Sequence, residues 1–178
     1  MEHRKETTVS ISMFKLNIYA IVFIIVMMMG VAFLHIFLFE TSKIVITLPS
    51  IFMLIIAMFA LVCIHEALHL IGFHYIGGVA WSELKWGVNF KLGVAYAHSR
   101  KPIFVKHMKK VLMLPLLPTG ILPIVVGVAM NFPVISLLGV LLTAGCIGDL
   151  ALYRKVSKFP DNAFVIDHPT KPQFTVYE

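Results

Sequence analysis

Charged residues are scarce in this sequence of 178 amino acids, at 13% of the chain against about 25% in an average soluble domain. Hydrophobic residues make up 59% of the chain, and most of them stand in long runs. This shortage of charge argues against an ordinary soluble domain and predicts an α-helical multi-pass membrane protein. The length predicts a single membrane-embedded domain over residues 1–178.

Cysteine is almost absent, since Cys63 and Cys146 are the two in the chain. Both stand in apolar segments without the spacing of a disulfide framework, which predicts two buried thiols. A signal peptide is not expected, because the first apolar run of 24 residues is too long and no cleavage motif follows it. No recognition motif accompanies the net charge of +6, so a nucleic-acid partner is not expected either.

Four apolar runs are long enough to cross a bilayer, which takes about 20 helical residues. Unpaired backbone groups are costly in lipid, so each span is predicted to be a helix. Aromatic and β-branched residues broken by glycines predict a small β-sheet insertion between spans two and three, over about residues 79–100. The four spans are predicted at about residues 16–39, 44–72, 111–130 and 134–153.

The distribution of lysine and arginine predicts how these spans are oriented. With the N-terminus inside, 14 of the 15 basic residues fall on the inner side, and Lys43 alone falls outside. The sequence therefore predicts a protein of the cell membrane with a cytoplasmic N-terminus and a cytoplasmic tail at residues 154–178. The lipid bilayer is its expected partner.

The residues that carry chemistry form the pattern H-E-x-x-H at the end of the second run, from His65 to His69. Histidines four apart share one face of a helix, so their imidazoles can bind one Zn²⁺ ion. Glu66 projects beside them and can act as general base on zinc-bound water. Because ionisable residues inside a span are costly and by default functional, the motif predicts a zinc hydrolase site.

A catalytic zinc usually takes three protein ligands, and Asp149 is the predicted third. Pro49 and Pro133 each suit the first turn of a helix. His65 and Asp149 each follow one of these prolines by 16 residues, which places both about 24 Å along their helices. The two side chains are therefore predicted to meet at one depth, near the inner side of the membrane.

Other side chains are candidate ligands by residue type. A metzincin pattern would need histidine at position 75, where tyrosine stands, and His74 is one residue early. Glu83 could serve as a carboxylate ligand, although it stands beside lysines in a predicted strand. The sequence leaves open the roles of His74, His98, Cys146 and Asp167.

These motifs resemble those of the site-2 protease class of intramembrane metalloproteases, which carry H-E-x-x-H in one span and an Asp ligand two spans later. A closer resemblance is to a bacterial group described as putative zincin membrane peptidases, a domain family of unknown function. The resemblance implies an active site that opens toward the cytoplasm, with His65, His69 and Asp149 as metal ligands and Glu66 as base. It covers about residues 44–175 and rests on His65–His69, Ala95–Ala97, Gly148-Asp149 and Asp167–Pro169.

The expected function is zinc-dependent hydrolysis of a peptide bond in or beside the membrane, with a membrane protein or peptide as substrate. A non-catalytic metal-binding membrane protein, such as a sensor or an assembly factor, would use the same ligands. A transporter is a third interpretation, against which the absence of internal repeats argues. Substrate identity and oligomeric state stay open at this stage.

Overall fold

The structure is a computed structural model that describes residues 5–39, 47–89, 94–168 and 173–178. The chain divides into two compact units. The first unit contains Met1–Leu16, His65–Pro115 and Gly148–Glu178, and the second contains Asn17–Ile64 and Leu116–Ile147.

Four helical segments within the described residues are long and apolar enough to cross a membrane, which confirms the prediction of four apolar helices. The first is α1, Met13–Phe39, and the second is α2, Leu48–Tyr75. Helix α1 begins about one turn before its predicted start, and α2 ends about one turn after its predicted end. The added turns contain polar residues, which lower the hydropathy without ending the helix. The predicted start of the second span at residue 44 lies outside the described residues.

The third and fourth segments, Val105–Ala129 and Pro133–Val156, are each built from more than one helix. The prolines of the third segment remove backbone donors, and the chain there passes through a stretch of π-helix. In order, the pieces are α3 (Val105–Met113), the π-helix (Leu116–Ile121), α4 (Leu122–Ala129), α5 (Pro133–Gly145) and α6 (Ile147–Val156).

The helix of the third segment begins at Val105, six residues before the predicted start of the span at residue 111. Helix α3 buries Val105, Met108 and Val111 on one face, while Lys106 and Lys110 are exposed on the other. An amphipathic helix of this kind is stabilised by packing of its apolar face, so it forms although its lysines lower the local hydropathy.

Two small antiparallel sheets complete the described chain. The predicted insertion at residues 79–100 contains a hairpin of two strands, preceded by the 3₁₀ turn Trp81–Glu83. The strands are β1 (Glu6–Ser10), β2 (Leu84–Asn89), β3 (Val94–Ser99), β4 (Ile103–Phe104), β5 (Phe164–Asp167) and β6 (Gln173–Tyr177). The hairpin pairs β2 with β3, and the second sheet, with the strand order β1-β6-β5-β4, is not predicted by the sequence.

The core of the first unit lies between α3 and the four-stranded sheet. Alternate residues of β5 and β6 point inward, and Val165 and Val176 are fully buried. Val105 and Val111 of α3 and Val156 at the end of α6 are buried in the same cluster. This core holds the C-terminal end of α2, α3 and the tail strands in one body, and that body contains all the predicted site residues.

Small residues set the packing of α4 against α5 in the second unit. A Cβ added at Gly127 would lie 2.4 Å from both the backbone nitrogen and the hydroxyl of Ser136. One added at Gly139 would lie 2.6 Å from the backbone nitrogen of Ile124. Such close backbone approach through glycine is the usual packing mode of helices that cross membranes.

Replacing Gly127 by Ala is therefore expected to destabilise the protein by about 1–3 kcal/mol, the usual cost of overpacking. Gly30 is the matched control, because a Cβ added there meets no atom within 4 Å, and Gly30→Ala is expected to be neutral or stabilising. Unfolding of both variants in detergent micelles, followed by circular dichroism, measures the difference. Equal stability of the two variants would refute the packing account.

Candidate metal centre

The structure brings the three predicted ligands together within the first unit. Helix α2 carries His65 and His69 one turn apart, and α6 carries Asp149 in its first turn. The two imidazole Nε2 atoms are 3.2 Å apart. Asp149 places Oδ2 3.2 Å from Nε2 of His65 and Oδ1 3.5 Å from Nε2 of His69. Two nitrogens and a carboxylate therefore face a common point.

These separations fit a zinc ion better than they fit an ion pair. Tetrahedral Zn²⁺ with bonds of about 2.0–2.1 Å places its donor atoms about 3.3–3.4 Å apart. Charge-assisted hydrogen bonds between nitrogen and carboxylate are shorter, at about 2.7–2.9 Å. The observed 3.2 to 3.5 Å is close to these separations, with a different Asp149 oxygen facing each histidine. Two imidazoles and one carboxylate are also a common donor set of catalytic zinc, which keeps its fourth position open.

A backbone carbonyl orients His69 for this role. Nδ1 of His69 lies 3.0 Å from the carbonyl oxygen of Val111, and a carbonyl can only accept a hydrogen bond. Nδ1 therefore carries the proton, and the lone pair of a neutral His69 is on Nε2, the atom that faces Asp149. Hydrogen bonds of this kind fix the tautomer of metal-binding histidines.

Glycine at position 72 lets α3 approach α2 closely enough for this contact. A Cβ added at Gly72 would lie 3.3 Å from the side chains of both Val111 and Leu114. Gly72 stands three residues after His69 and so on the same face of α2. The close approach of the two helices therefore places the Val111 carbonyl beside the His69 ring.

Glu66 is buried beside the three candidate ligands, with 8% of its surface exposed. The backbone N–H of Ala97 in β3 donates a hydrogen bond to its carboxylate. Its charge also interacts with those of His65, His69 and Asp149. A carboxylate held in this way is positioned to accept a proton from a water molecule at the same centre.

The centre is not sealed from its surroundings. The side chains of His65 and Asp149 keep 12% and 17% of their surface exposed. Neither side chain is therefore completely buried within the protein.

His74 and Glu83 make other contacts. Nδ1 of His74 donates to the carbonyl of Val79 at 2.8 Å, and its ring stacks on Trp81. Glu83 lies 3.8 Å from the ammonium of Lys101. Through these contacts His74 stabilises the turn that follows α2, and Glu83 forms a surface ion pair.

His98 and Cys146 are both buried. Burial lowers the pKa of His98, and the positive charges of Arg100 and Lys85 lower it further, while a hydrogen bond with the backbone of Ser99 acts in the opposite direction. The thiol of Cys146 donates to the carbonyl of Leu142 at 3.3 Å.

Asp167, at the end of β5, is a further carboxylate whose charge interacts with the centre. The sequence leaves its role open, and Pro169 of the same motif lies outside the described residues. Burial raises the pKa of Asp167 to about 7, and the negative charges of Asp149 and Glu66 add to that rise. The N–H of His168 donates to its Oδ1 at 2.9 Å and acts in the opposite direction.

In the metal-free protein this raised pKa is expected to make stability depend on pH. An acid with a folded pKa above its unfolded value of 3.8 stabilises the fold at low pH, and that contribution is lost as the pH rises through about 7. Asp167→Asn removes the effect, so the variant should be more stable than the wild type above this pKa. Melting temperatures of chelator-treated protein below and above pH 7 test this, and parallel curves would contradict it.

Sequence reasoning missed the two backbone groups of this centre, the carbonyl of Val111 and the N–H of Ala97. Backbone groups are the same in every residue, so no side-chain pattern marks them. The one available signal was Gly72, because a glycine one turn beyond a metal-binding histidine permits close approach of a second helix.

Comparison with known proteins gives one family. A family model described as "Putative zincin peptidase" matches residues 58–164, which is more than half of the chain. The matched region includes both histidines of the motif, Glu66 and Asp149. No curated protein and no solved structure matches the chain.

Proposed function

The chain belongs to the putative zincin peptidase family, and from this we propose that it is a membrane zinc metallopeptidase of the site-2 protease type. In this proposal His65, His69 and Asp149 hold Zn²⁺, and Glu66 is the general base. The observation that supports it best is the approach of two imidazole nitrogens and one carboxylate, with separations of 3.2 to 3.5 Å, beside a buried glutamate. The substrate is a peptide bond of a membrane protein or a membrane-associated peptide.

Each residue of the centre has one task in this mechanism. Zinc, when bound, polarises the peptide carbonyl and makes water more acidic. Glu66 accepts the proton of the attacking water on its carboxylate and delivers it to the nitrogen of the leaving amine. The Ala97 amide holds the Glu66 carboxylate, and the Val111 carbonyl keeps the lone pair of His69 directed at the centre.

We further propose that the four apolar segments cross the cell membrane as one domain, with both termini in the cytoplasm. The distribution of basic residues supports this orientation. His69 stands six residues before the end of α2, or about 9 Å along the helix axis. Such a position is close enough to the inner surface for water to reach the centre from the cytoplasm.

The test is hydrolysis by purified protein in lipid vesicles that contain zinc. A mixture of bilayer-anchored peptides of varied sequence serves as substrate, and mass spectrometry identifies new chain ends. Wild-type protein should generate such ends, and Glu66→Gln protein should not. If wild type and variant bind zinc and neither cleaves any peptide, the centre serves a non-catalytic sensor or assembly factor instead.

A further inference from the structure

An aromatic and basic surface on the first unit is not used by the proposed reaction. We define this surface by Tyr75 at the end of α2, Trp81 after it, and Trp86 and Val88 on β2, together with Lys85, which is exposed on the opposite face of the same strand. The four apolar members expose 75%, 51%, 52% and 43% of their area, in the order Tyr75, Trp81, Trp86 and Val88. Large exposed apolar side chains in a cluster usually mark a contact with a membrane or a partner.

The hairpin presents its apolar residues on one side. Side chains alternate along a strand, so Trp86 and Val88 share a face, and they pair with Ala97 and Ala95 of β3. These small partners leave the larger side chains uncovered. On the opposite face, the Tyr96 ring lies over Gly87.

Two of the aromatic residues, Tyr75 and Trp81, lie at the depth where a candidate span ends. The ring of Trp81 stacks on that of His74, with 4.5 Å between the ring centroids, and the ring of Tyr75 lies 4.7 Å from the same histidine. His74 and Tyr75 are the last two residues of α2, which is long and apolar enough to cross a membrane. Tryptophan and tyrosine concentrate at this depth, where the bilayer meets water.

Charge indicates which kind of membrane surface this region fits. Residues 74–110 contain seven lysines and arginines and a single acidic residue, Glu83. Lys85, Arg100 and Lys101 are exposed in and beside the hairpin. Such an excess of positive charge is attracted to anionic phospholipids of the cytoplasmic leaflet.

We propose that the aromatic and basic surface rests on anionic lipid headgroups, with Trp86 and Val88 inserted at the boundary with the acyl chains. Apolar insertion and basic attraction together provide the two signals that stable interfacial binding needs. This contact with lipid headgroups does not require peptide hydrolysis, so the proposal goes beyond the proposed function.

The two tryptophans of the chain make this proposal directly measurable. Trp81 and Trp86 are the only ones in the sequence, so the Trp81→Phe variant emits from Trp86 alone. The variant is reconstituted in phosphatidylcholine vesicles with or without phosphatidylglycerol. Its tryptophan fluorescence is then quenched either by lipids brominated on the upper acyl chain or by iodide in the water. Brominated lipid should remove roughly half or more of the Trp86 emission, since the ring lies at the interface, and iodide should remove little.

Charge reversal separates lipid attraction from simple burial. Phosphatidylglycerol is expected to increase quenching of Trp86 by brominated lipid. The double variant Lys85→Glu with Arg100→Glu should abolish that increase. The control double variant, Lys5→Glu with Lys158→Glu, changes two other exposed lysines and should leave the increase unchanged. Circular dichroism shows that each variant is folded. Strong iodide quenching together with no effect of brominated lipid would overturn the proposal, and so would protection that appears only after a peptide substrate is added.

Discussion

Glu66→Gln protein is expected to retain its full zinc content and to lose peptide hydrolysis by about 10²–10⁴-fold, the usual contribution of a general acid–base group. Glutamine has the same shape as glutamate and can still accept the Ala97 amide through its carbonyl oxygen. It cannot accept a proton from water at neutral pH. The loss should therefore appear in kcat, with metal binding and folding unchanged.

Zinc content by elemental analysis and cleavage of bilayer-anchored peptides measure the two expectations separately. Glu83→Gln is the matched control, because Glu83 lies in a surface ion pair with Lys101, and it should cleave like the wild type. A Glu66→Gln variant that cleaves normally would remove Glu66 from the mechanism. A variant that loses zinc would show that Glu66 supports the metal site instead of the proton transfer.

Asp149→Ala is expected to weaken zinc binding by more than about 100-fold. Loss of a residue that merely supports a ligand costs about 10–100-fold in affinity, and loss of a ligand itself should cost more. Asp149 faces both imidazoles at 3.2 and 3.5 Å, so its removal leaves two ligands out of three. Hydrolysis should fall in parallel with zinc occupancy.

Competition with a fluorescent chelator measures this affinity, and His65→Ala serves as the reference for loss of a ligand. Asp161→Ala is the matched control, since its carboxylate is 66% exposed and paired with Lys109. Circular dichroism establishes that each variant is folded. Stoichiometric zinc of unchanged affinity in Asp149→Ala would exclude this residue as the third ligand.

Local patterns made the helices and half of the centre predictable. Hydropathy alone identifies α1 and α2, and the spacing of His65 and His69 places both on one face, because each depends only on residues within a few turns. The start of α3 at Val105 was missed because its lysines interrupt the apolar run, although they lie on the exposed face.

The four-stranded sheet was not predictable in the same way. Strand β1 pairs with β6 in the register Glu6 to Tyr177, at opposite ends of the sequence. Its residues, Glu6–Ser10, carry little apolar alternation, so the strand forms because β6 offers a partner edge. Pairing between distant segments depends on the whole fold, which a local pattern does not contain.

The sequence by itself determined the apolar helices, the paired histidines of α2 and the glutamate between them, because helical periodicity follows from neighbouring residues alone. Only the tertiary structure decided that Asp149 lies 3.2 Å from His65 and that the Val111 carbonyl and the Ala97 amide serve His69 and Glu66. The equal distances of His65 and Asp149 from their prolines predicted that the two side chains meet at one depth, but they gave no distance between the atoms. Which helices and strands pack together depends on side-chain volumes across the whole fold. Backbone N–H and C=O groups are the same in every residue, so the sequence does not show which of them contact the site.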